Sequence, residues 1–504
     1  MEKVFTILLL MCSYTFFAQD YKFGKVSKEE LSEKFYPLDS TADAAYLYKH
    51  RRTYYDLTNR GWQLVTEIHE RIKVYNKDAF DLATKSVLCY DPESGGGDPD
   101  YVSSIKGYTF NLENDKVVKE KLSKKSIFKE RKNKYRVMRK MVMPSVKEGS
   151  VLDLRYKIIS PRTGYINDLK FQYGIPVKKL DCTIQIPEFF IFNKRNTGYY
   201  LVDMKKSSKS RSIGSSQTYT VDVFKFNTNN VPALKDNEPY VASISNYRGG
   251  MSFELTQLNF LSVGGEIKTF SNSWEDVSKK IYGFSSFGNE IKKESYYKDD
   301  INKLLATAKT DYDKVGAIFQ FVKNKMKWNG FYGFSTEKGV KKAYKEQVGN
   351  VADINLMLTS MLNYAGLNVS PVLVSSKGNG VPIFPTIDGF DYVIAIVEFP
   401  DNTYALLDAT EPYSTPNILP VRALNWNGRK ISKGGASSWV SLTSSKPAIE
   451  ENTVMVKISE DLMVEGLYRT KYDNLNALNF RKNTNHIKEE SLIKTFEESK
   501  NIEI

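Results

Sequence analysis

The sequence predicts an α+β chain: an antiparallel β-sandwich first, a mixed α+β domain next, and the start of a further β-rich domain at the end. Three observations predict it. From about residue 45 to 260, short alternating apolar runs are cut by Pro and Gly. Residues 272–345 are helical in texture, with apolar side chains at three- and four-residue steps. In residues 346–412 one helical stripe leads into three strand-like runs. The length of 504 residues fits roughly three domains, and the boundaries expected are 1–19, 20–265, 266–440 and 441–504.

Met1–Asp20 reads as a secretory signal. Lys3 gives a basic start, Val4–Phe17 is an apolar run too short to span a bilayer, and Ala18 is a small residue for cleavage. Cys12 as a lipoprotein anchor fits less well, because bulky Met11 precedes it. No later stretch approaches ~20 apolar residues, so no transmembrane segment is expected in the mature chain. The expected location is therefore the periplasm, the outer membrane surface or the exterior. Export implies an oxidising compartment, where Cys89 and Cys182 could pair; two buried free thiols is the other reading.

Ser27-Lys28-Glu29-Glu30 is a capping-box pattern opening a short helix. Trp62, Leu64, Thr66, Ile68, Glu70, Ile72 and Val74 then fall on one face of a long strand. Gly95-Gly96-Gly97 marks a loop. Strands are expected near 101–112, 151–159, 167–173, 180–187 and 218–226, and together they argue for the sandwich. The net charge is +13, and its densest basic run is Lys116–Lys140. That run reads as a solvated strand-and-loop face, or as a contact with an anionic envelope surface or polysaccharide. No nucleic-acid-binding motif accompanies it, so nucleic acid is not an expected partner.

Trp274–Tyr282 is a short helix, and Asp311–Met326 is the clearest amphipathic one, with Val315, Ile318, Phe319, Val322 and Met326 on one stripe. The aromatic-glycine loop Trp328–Phe334 follows. Ala352–Ala365 is the central helix, carrying Ile354, Met357, Leu358, Met361 and Leu362 at helical steps, and Gly366 ends it. The strand runs Pro371–Ser375, Phe390–Phe399 and Thr403–Asp408 come next. From about 445 strand texture returns, with a helix from about Lys488 to Ser499.

The order of helix start and strands resembles the transglutaminase-like (papain-related) superfamily. Gly349-Asn350-Val351-Ala352-Asp353 is similar to its G-x-C-x-D-like turn, Phe390-Asp391-Tyr392-Val393 to its His strand, and Leu407-Asp408-Ala409-Thr410 to its Asp strand. Upstream, His69–Val74, Met143-Pro144-Ser145-Val146, Phe171-Gln172-Tyr173 and Val231-Pro232-Ala233 resemble the β-rich domain of unknown function that commonly precedes such a domain in secreted bacterial proteins. The resemblance implies a papain-like cleft with positions 351, 392 and 408 as its triad, and with Trp328, Tyr332, Asp353 and Asp391 in its lining. Val351 stands where the thiol belongs and Tyr392 where the imidazole belongs; only Asp408 fits.

The cysteines are Cys12, Cys89 and Cys182 and the histidines His50, His69 and His486. The cleft-like region thus has neither a thiol nor an imidazole, and thiol chemistry is excluded there. Besides a purely structural or assembly role at the envelope, in which the cleft does nothing, two readings follow. In the first the chain is a non-catalytic pseudoenzyme that binds an envelope protein, a peptide or a glycan, and Tyr392 fills the imidazole's space and bonds Asp408. In the second, two of Asp353, Asp391, Asp408 and Glu411 act as paired carboxylates in a hydrolase. Against the second, Asp353 also suits the first turn of a helix and Asp391 a solvated strand position. No cofactor and no metal site is expected, since no His/Cys cluster or calcium-loop spacing occurs.

Overall fold

The computed structural model describes residues 21–504 apart from 94–96, 214–216, 237, 239, 240, 242, 271, 272 and 383. The signal-like segment, Cys12, Gly95 and Gly96 lie outside the described residues. Two units divide the chain: residues up to Glu238 together with Arg248–Lys268, and Pro239–Tyr247 together with Thr269–Ile504.

In the first unit β-branched and aromatic alternation gives long strands. Eight of them form one sheet, in the order Met204–Ile213, Gln217–Val231, Val177–Pro187, Ala44–Thr58, Gly61–Val74, Val151–Ser160, Tyr101–Glu113, Lys116–Lys121. The expected all-antiparallel pattern needs one correction, because Ala44–Thr58 and Val177–Pro187 run parallel, with Tyr46 opposite Val177 and Thr53 opposite Ile184. Parallel neighbours need a long crossover, and more than a hundred residues of intervening chain supply it. Two smaller sheets share the core with the large one. One joins Thr84–Tyr90, Arg136–Val142 and Ile127–Asn133; the other contains Phe190–Thr197 and Gly250–Asn259. Leu180, Ile184, Phe171, Phe226, Met141 and Phe192 meet there.

Inner-face residues of Gly61–Val74 follow the expected alternation, with Leu64, Thr66, Glu70 and Ile72 buried, yet Arg71 and Lys73 on the other face are buried too. The chain start covers them. The Ser27-capped helix Lys28–Ser32 places Glu30 on Arg71 at 3.0 Å and the Leu31 carbonyl on Lys73 at 2.6 Å. On the inner face Glu70 accepts from both Lys49 and Lys85. Glu70 and Lys85 border a cavity of about 250 Å³ lined also by Tyr46, Ile72 and Leu152. Cys89 and Cys182 are free and buried, and burial pushes the thiols up to about 11 and about 12.

In the second unit a five-stranded antiparallel sheet runs Tyr404–Leu407, Tyr392–Glu398, Asn368–Val374, Asn427–Ile431, Ser437–Ser441. The central helix Val351–Tyr364 lies against it, with helices that include Asp311–Lys325 on its other side. Every residue from Val351 to Leu362 is buried, so the apolar stripe read from the sequence is only part of a helix enclosed all round. Gly366 takes φ 84°, the left-handed conformation a helix stop needs.

The hairpin Ile449–Ile458/Val464–Asp473 is exposed along nearly its whole length. Two helices follow it, Asn474–Thr484 and Glu489–Lys500. The first was not expected, since its Asn-rich sequence has weak helix propensity; Ala477 and Leu478, buried, anchor it.

Candidate functional site

The site begins at the N-terminus of the central helix. Gly349 is required there because a Cβ would fall 2.5 Å from the Cβ of Asp353. Asn350 caps the helix by accepting from the Asp353 amide at 2.8 Å, and Asp353 accepts from the Asn350 amide at 3.1 Å. The Asp353 carboxylate also accepts from the Gly339 amide at 3.0 Å, and burial holds its pKa above the usual carboxylate range. Val351 opens the helix, wholly buried. One turn on, and therefore on the same side, Asn355 donates to Asp408 at 3.0 Å and to the Val393 carbonyl at 2.9 Å, and accepts from the Ala409 amide at 2.9 Å. One amide thus ties the helix to both strands.

Asp408 lies at the end of Tyr404–Leu407 and is buried. Tyr392 donates to it at 2.8 Å and Thr410 at 2.6 Å, while the Thr410 amide donates at 3.0 Å. Tyr392 is fully enclosed; burial first, then the Asp408 charge, raises its pKa well above 10. Its oxygen accepts from Arg422 Nε at 3.0 Å. Arg422 also donates to Thr410 at 2.8 Å and to Glu411 at 3.1 Å. Burial alone would lower its pKa, but Tyr392 and Asp408 outweigh that and raise it.

The open side is aromatic. The Arg422 guanidinium lies 4.4 Å from the Trp328 ring centroid, Trp328 stacks on Tyr332 at 5.7 Å, and Tyr332 meets Tyr392 edge-on at 5.5 Å. Tyr332 is 44% exposed, so one end of this stack faces solvent.

The structure therefore joins Tyr392, Asp408, Trp328 and Tyr332 in one network, and reaches Val351 through Asn355 on the same helix. It does not bring in Asp391, which accepts from the Ser376 amide and hydroxyl at 2.6 Å each and fastens a turn. Asp391 is partly buried, not a freely solvated strand residue, and burial raises its pKa. Asp353, Asp391, Asp408 and Glu411 are each committed to two or more donors, counting Lys482 at 3.4 Å on Glu411. Sequence reading missed Arg422, Asn355 and Thr410. Arg422 had a legible signal: it is a lone cation in the apolar stretch Ile418–Leu424. No group of three metal-ligating side chains occurs among the described residues.

Chemically, the network holds a protonated phenol, a hydrogen-bonded carboxylate and a fixed guanidinium. A phenol with a raised pKa is a poor base near neutrality, and a valine offers no nucleophile.

No family model matches the chain, and no curated protein matches it. Among solved structures it is similar to the crystal structure of a "putative protease" from Parabacteroides distasonis. The TM-score is 0.55 at 14% identity, and the match covers 80% of this chain and 72% of that one. At that identity the likeness shows a shared mixed α+β fold. No helix among the described residues is long and apolar enough to cross a membrane.

Proposed function

We propose that this is an exported, non-catalytic transglutaminase-like protein whose second unit binds an envelope protein, peptide or glycan through the Trp328–Tyr332 side of the network. One observation carries the reading. Where a thiol enzyme needs an imidazole free to take a proton, Tyr392 is sealed between Asp408, Thr410 and Arg422. The buried Val351 at the helix start supports the same conclusion, and the fold likeness to a protein called a putative protease is compatible with a hydrolase ancestry. Export rests on the signal-like first 19 residues.

The test is turnover. The purified chain is incubated with quenched fluorescent peptides, with glutamine and amine acyl-transfer substrates, and with envelope glycans. No turnover above buffer is expected from the wild type. Turnover that disappears in both Asp353→Asn and Asp408→Asn would overturn the proposal in favour of a carboxylate hydrolase. On peptide and glycan arrays, Tyr332→Ala is expected to weaken whatever binding the wild type shows.

A further inference from the structure

The eight-stranded sheet of the first unit has an outer face that the sequence does not advertise, because its members are scattered over more than a hundred positions. Side chains directly opposite each other on paired strands share a face. One row across six strands reads Lys205, Lys225, Thr183, Arg52, Glu67, Lys157. Four cations there face one carboxylate, and Glu67 is shared by Arg52 at 3.4 Å and Lys157 at 2.7 Å. The next row, two residues along each strand, reads Asn227, Asp181, His50, His69, Arg155, Lys106. Lys209 and Arg211 extend the positive edge. Among the described residues, Lys205, Lys209, Arg211, Lys225, Arg155 and Lys106 have no carboxylate within 4 Å. Burial, and then Arg211, Arg52 and Lys225 around it, hold the Lys209 pKa below its usual value. Cations crowded together without counter-charges favour an incoming anion.

We propose that this face binds a flexible acidic polysaccharide, one bearing carboxylates along its length. The shape of the sheet argues against a flat anionic membrane. Neighbouring strands are rotated by ~20° each, so eight of them form a strongly twisted surface that a plane touches only in part, whereas a flexible chain can follow a row about 24 Å long. The rings on the face argue against single-stranded nucleic acid, which needs bare aromatic faces for its bases. Arg52 lies 4.4 Å over Tyr54, Arg155 lies 4.5 Å over Phe23, and Tyr48 stacks on Tyr21 at 4.9 Å. Thr183 and Ser207, interspersed with the cations, offer hydroxyl groups to sugar hydroxyls. This surface belongs wholly to the first unit and is independent of the Tyr392 network.

The experiment uses the purified chain and end-labelled polygalacturonate, with anisotropy read at low and high salt. Binding is expected at low salt and should weaken as salt rises. The triple variant Lys205→Ala/Lys209→Ala/Lys225→Ala should lose about tenfold or more in affinity. A control triple, Lys129→Ala/Lys132→Ala/Lys140→Ala, removes the same charge from cations already paired with Asp91 and Glu130; it should change affinity less than about twofold. Three results would overturn the proposal: no binding of polygalacturonate, equal losses in the two triples, or a preference for phosphatidylglycerol vesicles or oligo-dT at the same salt. Unchanged thermal unfolding of each variant, or the same trend in Lys225→Gln alone, excludes misfolding as the cause.

Discussion

The sealed phenol of Tyr392 suits structure better than chemistry, and single substitutions separate the two roles. Removing its hydroxyl leaves Asp408 with Asn355 and Thr410 as side-chain donors but deprives Arg422 Nε of its acceptor. Because these groups are buried or nearly so, Tyr392→Phe is expected to destabilise by about 1–3 kcal/mol. Denaturant unfolding followed at equilibrium measures it; an unchanged midpoint would mean that the network carries no net stability. Val351 makes a sharper case. A cysteine there would sit at a helix N-terminus, which lowers a thiol's pKa, yet in a wholly buried place, which raises it. Burial wins, since the reagent must also reach the sulfur. Val351→Cys, alone or with Tyr392→His, is expected to stay silent toward a charged disulfide reagent until the chain unfolds. Rapid labelling of the native variant would show that the helix start opens to solvent.

At the scale of elements, the central helix was readable from its apolar steps, and the structure adds a cap built by local chemistry. Asn350 and Asp353 satisfy each other three residues apart, and Asn350 also donates to the Ser335 carbonyl at 2.9 Å. Asn350→Ala should therefore cost about 1–2 kcal/mol, visible as a lowered thermal midpoint. The strand Tyr392–Glu398 and the helix stop at Gly366 were legible for the same reason: each rests on a short-range pattern. What stayed hidden depends on partners distant in the chain. The parallel pairing of Ala44–Thr58 with Val177–Pro187 has no local signature, and a strand's alternation says nothing about whether its second face is also covered. Arg71 and Lys73 are buried only because Glu30 and Leu31 lie on them. Asn355 is one polar residue in a largely apolar helix, and its role exists only once two strands arrive beside it. Asp391 was misread as solvated because the Ser376 turn that encloses it is fifteen residues away.

Across the whole molecule the two units shift the pKa values of buried carboxyl groups in opposite directions, and acid should distinguish them. In the first unit, burial alone would raise the Glu70 pKa, but Lys49 and Lys85 outweigh it and pull the group from the usual 4.5 to about 2. Asp153 is likewise held low: burial opposes, while His69 and Arg71 prevail. A carboxylate held below its unfolded value adds stability above the unfolded pKa and loses it as pH falls through the folded one. For Glu70 that amounts to about 3 kcal/mol, lost between pH of about 4.5 and about 2. In the second unit burial raises both Asp353 and Asp391, so their stability contribution is fully present below the unfolded value and is lost as pH rises through the folded one. Acidification should thus weaken the first unit while these two groups leave the second unharmed. Tryptophan placement makes the difference measurable, since Trp62 lies in the first unit and Trp274, Trp328, Trp426 and Trp439 in the second. The Trp62 contribution, obtained by subtracting the emission of Trp62→Phe from that of the wild type, is expected to shift at a higher pH than the emission of the other four. Glu70→Gln should lower the stability of the first unit already at neutral pH, because Lys49 would be left buried without its counter-charge, and should move the Trp62 response to a still higher pH. If the four tryptophans of the second unit respond first, the balance of buried carboxylates does not govern how this chain yields to acid.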